Sequence, residues 1–179
     1  AAGHDVVLFF GVPEDADVPP GADCVIVALK SRSIPPQDAV DASVRAWQWL
    51  DAVGVERWYF KYCSTFDSTA RGNIGPVLDA LADRTASRRV LVAPSAPRNG
   101  RTVFRSRLFV GDELLSESPM RGHPLNPMRE SDVRVLLGQQ TSRPITSMPW
   151  EAVRLLPGDG AGQPSGYVVA DPITEDDLG

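Results

Sequence analysis

Residues 24–54 read CVIVALKSRSIPPQDAVDASVRAWQWLDAVG, and a change of period inside that stretch decides the fold class. Residues 24–29 form an apolar run rich in Val and Ile without strict alternation, the pattern of a strand buried on both faces of a parallel sheet. Further on, Val40, Val44, Trp47 and Leu50 step by four, three and three, which makes one helical face, and Gly54 is placed to end that helix. Strand, polar loop and helix therefore follow one another within a single βα unit.

The same rhythm extends outward. Runs at residues 6–10, 57–63, 90–93 and 167–170 read as further strands. Residues 75–84 read as a second helix, with Pro76 tolerated in the first turn because a nitrogen there has no intrahelical partner. Alternating strands and helices predict an α/β domain, a mostly parallel sheet flanked by helices. One segment breaks the rhythm: RTVFRSRLFVGDELLSES, residues 101–118, has two β-compatible stretches around Gly111 and Asp112 and predicts an antiparallel hairpin insertion. The proline-rich SPMRGHPLNPM predicts an ordered loop, followed by a short helix over about residues 131–140. Gly158, Gly160 and Gly162 lie in a loop with no Lys-Ser/Thr after them, so a flexible connection explains them better than a phosphate cradle.

Composition narrows the function classes. The chain has 179 residues and 42% hydrophobic content, enough for one core. Eighteen Lys plus Arg against 23 Asp plus Glu give a formal charge of -5, and like charges form no block, so no nucleic-acid partner is expected. The apolar runs fall short of the roughly 18–20 residues that cross a bilayer, so no membrane partner is expected and the chain reads as cytoplasmic. Cys24 and Cys63 read as reduced thiols, and with His4 and His123 they make no zinc spacing, so no metal site is expected. The chain enters a strand almost at once, and Thr174 with Asp177 resembles a helix N-cap at the far end. A fragment of a longer protein is the expectation.

Candidate chemistry gathers where α/β sheets bind ligands, beyond the carboxyl ends of the strands. Three polar loops fall there: SRSIPP from Ser31, KYCSTFDSTARGNIGP from Lys61, and PSAPRNGRT, which holds Arg98, Asn99 and Arg101. Arg32 and Arg71 offer forked donors suited to a carboxylate, and Lys61 offers a point charge. Ser64, Thr65, Asp67, Ser68 and Thr69 can hold hydroxyl groups. Such residues also cap helices and close turns. Their density between two cations favours a site for a small polyhydroxylated acid. His123 reads as a loop hydrogen-bonding residue, and Trp47, Trp49, Trp58, Tyr59 and Phe60 as packing.

The strings LKSRSIP, YFKYCSTFDST with RGNIGP, NGRT, LFVGDELLSES and HPLNPM, in that order, resemble the four-carbon acid sugar kinase family, in its 3-oxo-tetronate kinase branch. The resemblance covers nearly the whole chain. It implies that residues 1–179 are most of an N-terminal, sugar-acid-binding domain, truncated at both ends, with a C-terminal nucleotide-binding domain absent. It implies phosphorylation of the 4-hydroxyl of 3-oxo-tetronate by the complete enzyme, using ATP and magnesium. It also implies that the catalytic base lies before Ala1, and that this chain alone binds no cofactor, binds substrate weakly if at all, and is inactive. Carried over residue by residue, Ser31, Arg32, Lys61, Ser64, Asp67, Ser68 and Thr69 are the expected sugar-acid contacts. The family usually has an aromatic residue and an acid before NGRT, whereas this chain has PSAPR there. A non-catalytic sugar-acid binding module is the alternative, and an oxidoreductase is disfavoured because no strand leads into G-x-G-x-x-G. An unpaired sheet edge would make a homodimer possible.

Overall fold

The computed structural model describes residues 3–14, 17–155 and 165–178. The fold is mixed α/β, with two parallel sheets, one antiparallel sheet and four α-helices among the described residues. β1 (Val6–Phe10) pairs in parallel with β2 (Cys24–Ala28), Leu8 facing Ile26 and Phe10 facing Ala28. β3 (Arg89–Val92), β8 (Gly166–Ala170) and β7 (Ile145–Met148) form the second parallel sheet, with β8 in the middle. All five residues of β8 are buried, which explains the unbroken apolar run in the sequence. β8 starts at Gly166 with φ 111°, where a Cβ would lie 2.3 Å from the Pro144 carbonyl oxygen, so only glycine fits.

α1 (Pro36–Ala52) begins with proline in its first turn and ends at Val53, with Gly54 following at φ 83°. Its most buried positions are Ala39, Ser43, Val44 and Ala46; of the face that the spacing predicts, Val44 is buried while Val40, Trp47 and Leu50 are half-buried. Small side chains let α1 approach α2 (Ile74–Arg84) closely. The tryptophans turn aside: Trp49 meets Phe9 edge-on at 5.1 Å, and Trp47 meets Trp58 at 5.9 Å.

Three sequence expectations need correction. Residues 57–63 belong to no strand ladder among the described residues, although positions 57, 59 and 61 are exposed and 58, 60 and 62 are half-buried. Aromatic packing of Trp58, Phe60 and Tyr62 keeps the strand-like alternation without a paired neighbour. The insertion is a three-stranded antiparallel sheet, not a single hairpin: β4 (Arg101–Phe104), β5 (Arg107–Val110) and β6 (Glu113–Leu114). Its first turn is Arg105–Ser106, with φ 51° and 61°, and its second is Gly111–Asp112. β7 and α4 (Trp150–Val153) are additional elements. α3 (Val133–Gly138) occupies the middle of the helix expected over 131–140, and Thr174 with Asp177 forms a capping box on a 3₁₀ turn. Of the glycine-rich loop, residues 156–164, with Gly158, Gly160 and Gly162, lie outside the described residues.

The core joins the β3–β8–β7 sheet to the antiparallel sheet through Phe66, Leu78, Val92, Leu108, Leu137 and Tyr167. Buried Asp171, just past β8, accepts the Ser106 N–H at 2.8 Å and so fixes the β4–β5 turn to the parallel sheet. Burial pushes its carboxyl above the ordinary value, against the backbone N–H groups of Ser106 and Arg105.

Candidate functional site

A cleft of about 120 Å³ opens beyond the end of β2. Ser31, Arg32, Lys61, Asp67 and Asn73 supply its polar lining, and Phe60, Tyr62, Cys63 and Ile74 its remaining walls. Four sequence candidates thus meet in one place, brought together from two loops. Ser64, Thr65, Ser68, Thr69 and Arg71 lie on the same loop but do not line the cleft.

The 31–34 loop is held by Asn73, which directly precedes α2. The Asn73 amide donates to the carbonyl oxygens of Ser31, Arg32 (3.2 Å) and Ile34 (3.4 Å). The 63–69 loop is anchored by Phe66, which is fully buried with φ 49°, a left-handed conformation that a bulky side chain holds only when its surroundings impose it. The Phe66 N–H donates to the Cys63 carbonyl at 2.8 Å, and its ring meets Tyr62 edge-on at 5.5 Å. Gly72 is favoured by close approach, because a Cβ there would fall 2.9 Å from the Thr69 carbonyl oxygen as well as 1.8 Å from Ser68 Oγ.

Inside the cleft Arg32 Nη1 donates to Asp67 Oδ2 at 3.3 Å. The Arg32 side chain is 60% exposed and the Asp67 side chain 3%. Asn126 Nδ2 donates to Asp67 Oδ1 at 2.8 Å, reaching in from the proline-rich loop. His123 Nδ1 lies 4.0 Å from the same oxygen but accepts the Asn126 N–H at 3.1 Å. Its lone pair is engaged there, so His123 and Asp67 are neighbours rather than a hydrogen-bonded ion pair. Lys61 Nζ donates to the Tyr62 carbonyl at 2.8 Å and is otherwise exposed.

Several hydroxyls already have structural partners. Ser68 Oγ accepts from Gln140 Nε2 at 3.1 Å, while Gln140 Oε1 accepts the Gly75 N–H at 3.0 Å and so occupies one free donor at the start of α2. Thr65 Oγ1 lies 3.1 Å from Cys63 Sγ, and Thr69 Oγ1 accepts the Arg71 N–H at 3.3 Å. Burial pushes the Cys63 thiol up, but hydrogen bonds from Thr65 and the Arg32 charge bring it below the ordinary value. Burial pushes the Tyr62 phenol up, keeping it a neutral wall. The third polar loop is elsewhere: Arg98 pairs with Glu175 at 3.3 Å and does not line the cleft.

Sequence reasoning named neither Asn126 nor the anchoring role of Asn73. Asn126 sits 59 positions from Asp67, and its sole local signal is the Asn-Pro step of the loop. Among the described residues no group of three or more His, Cys, Asp or Glu could hold a metal, and no helix is long and apolar enough to cross a membrane.

Comparison with known proteins bears on this cleft. A family model described as a sugar-binding N-terminal domain matches residues 1–179. A 3-oxo-tetronate kinase of Burkholderia multivorans is 47% identical over 85% of this chain and 35% of its own length. That of Methylobacterium radiotolerans is 44% identical over 99% of this chain and 43% of its own. The chain thus spans less than half the length of these relatives. A crystal structure of a Haemophilus influenzae protein superposes with a TM-score of 0.90 at 39% identity, over 98% of this chain and 44% of that one. A Bordetella bronchiseptica domain, solved as a domain-swapped dimer with bound citrate, gives 0.75 at 29% identity, over 99% and 44%.

Proposed function

The chain belongs to the family of sugar-binding N-terminal domains, and from that premise we propose that it is the substrate-binding part of an ATP-dependent sugar-acid kinase. The substrate class is 3-oxo-tetronate or a related four-carbon acid sugar, phosphorylated at the 4-hydroxyl. Relatives named as 3-oxo-tetronate kinases support this reading, as does citrate, a small carboxylic acid, bound in a structural neighbour. The observation that carries it is Arg32, exposed at the cleft with most of its guanidinium donors uncommitted, beside the Lys61 charge.

In this reading Arg32 and Lys61 meet the carboxylate of the acid, and Ser31 meets a hydroxyl. Ser64, Thr65, Ser68, Thr69 and Arg71 form the loop that shapes the rest of the site. Phosphoryl transfer depends on holding acceptor and donor in line, so this domain would contribute positioning and would present one hydroxyl outward. In this reading ATP and its metal belong to the remainder of the longer protein; among the described residues no group of three or more His, Cys, Asp or Glu could hold a metal by protein ligands alone.

Titration calorimetry of the chain with a tetronate and with the matching neutral tetritol tests the proposal. Binding of the tetronate alone, lost in Arg32→Ala, is the expected result. Equal binding of the tetritol would sink acid recognition. In parallel, a coupled ATP-consumption assay on the 179-residue chain should stay at background, since the donor half belongs to the remainder.

A further inference from the structure

Asp67 is where three distant stretches of chain meet. Its Oδ2 faces Arg32 from the 31–34 loop, its Oδ1 takes Asn126 from the proline-rich loop, and its own backbone belongs to the 63–69 loop. With 3% exposure and both oxygens engaged, it offers almost no surface to a molecule in the cleft. Arg32 is the opposite case. One nitrogen of its five-donor fork is bound by Asp67 at 3.3 Å, and the side chain is 60% exposed. Asn126 holds Asp67 through a neutral amide, which fixes the carboxylate without cancelling the charge that holds Arg32.

We propose that Asp67 is a positioning residue for acid recognition rather than a ligand contact: it fixes the direction of the Arg32 guanidinium. Asn126 completes the device by fixing Asp67. Residues 123–128 therefore set the geometry of anion binding without touching the anion. Arg32 without its carboxylate partner keeps its charge but loses its preset orientation, and the ordering then falls on each binding event. This inference rests on the reading that the cleft takes a sugar acid.

Two measurements on the 179-residue chain test it. The first is a double-mutant cycle of tetronate affinity. Asp67→Asn alone should weaken binding about tenfold, and in an Arg32→Ala background it should add nothing. An undiminished further loss in that background would assign Asp67 a direct contact and overturn the proposal, as would wild-type affinity in Asp67→Asn. The second needs no ligand. Phenylglyoxal labelling of Arg32, followed by peptide mass spectrometry with Arg71 as internal reference, should run several-fold faster in Asp67→Asn and in Asn126→Ala. Unchanged labelling in both overturns the proposal. Faster labelling with no tetronate binding to the wild type would leave Asp67 holding Arg32 and refute the sugar-acid reading.

Discussion

Asn73 is 7% exposed, and its side-chain amide serves three carbonyl oxygens of the loop that carries Ser31 and Arg32. A short side chain at the start of a helix thus decides where a loop about 40 positions away can lie. Asn73→Ala removes the donor and leaves those carbonyls to find water, at a cost of about 1–3 kcal/mol. Urea denaturation should register that loss, and tetronate affinity should fall with it, because Arg32 moves with the loop. Unaltered stability would mean that the loop holds its place without Asn73. The residues that line the cleft were legible because polar side chains crowd two short loops, one after β2 and one before α2, a local property of Ser31, Arg32, Lys61 and Asp67. Asn126 was not legible: its partner is defined only by the folded chain.

At the level of elements, α3 and the β4–β5 turn depend on one another. Asp132 caps α3 by accepting the Arg134 N–H at 2.9 Å, and it pairs with the Arg134 guanidinium at 2.6 Å. Ser106, in the turn, accepts the Val133 N–H at 2.9 Å. Burial pushes the Asp132 carboxyl up, but the hydrogen bonds and charge of Arg134 hold it below the ordinary carboxylate range. A depressed folded value contributes stability that is present above the unfolded value and is lost as pH falls through the folded one. Asp132→Asn keeps a good cap but removes the charge. It should cost about 1 kcal/mol at neutral pH. It should also flatten the decline in stability below about pH 4, read from melting curves at stepped pH. An acid limb as steep as wild type would assign the effect to other carboxylates. α1 was legible from its helical spacing and the central strand β8 from its unbroken apolar run, whereas the four-residue α4 is too short to show a period. The Arg105–Ser106 turn was not legible, since positive φ at both positions normally selects Gly or Asn, and here tertiary hydrogen bonds, from the Ser106 N–H to Asp171 and from the Val133 N–H of α3 to the Ser106 carbonyl, impose it. β7 was hidden because it is a four-residue Ile-Thr-Ser-Met segment between two prolines.

Over the whole molecule, one face of the β1–β2 sheet stands open. Val6, Leu8 and Phe10 share that face by alternation, Ile26 lies opposite Leu8, and Phe10 is 87% exposed. The other face packs on α1 through Phe9 and Trp49. Parallel strands normally have both faces covered. Phe10→Ser should therefore change unfolding free energy by less than about 0.5 kcal/mol. It should lower the binding of a hydrophobic dye and any concentration-dependent association in sedimentation. A large loss of stability would show that Phe10 is packed in solution. The cleft has a different relation to the chain. Arg32 to Asp67, Asn73 to Ser31, Asn126 to Asp67 and Gln140 to Ser68 link residues 35, 42, 59 and 72 positions apart. Each of these links closes a long loop before it returns any energy, so the pocket is expected to form late in folding, after the helices and the antiparallel turns. Amide hydrogen exchange around residues 31–34 and 64–73 consequently reports the assembly of the whole domain rather than the opening of a single loop.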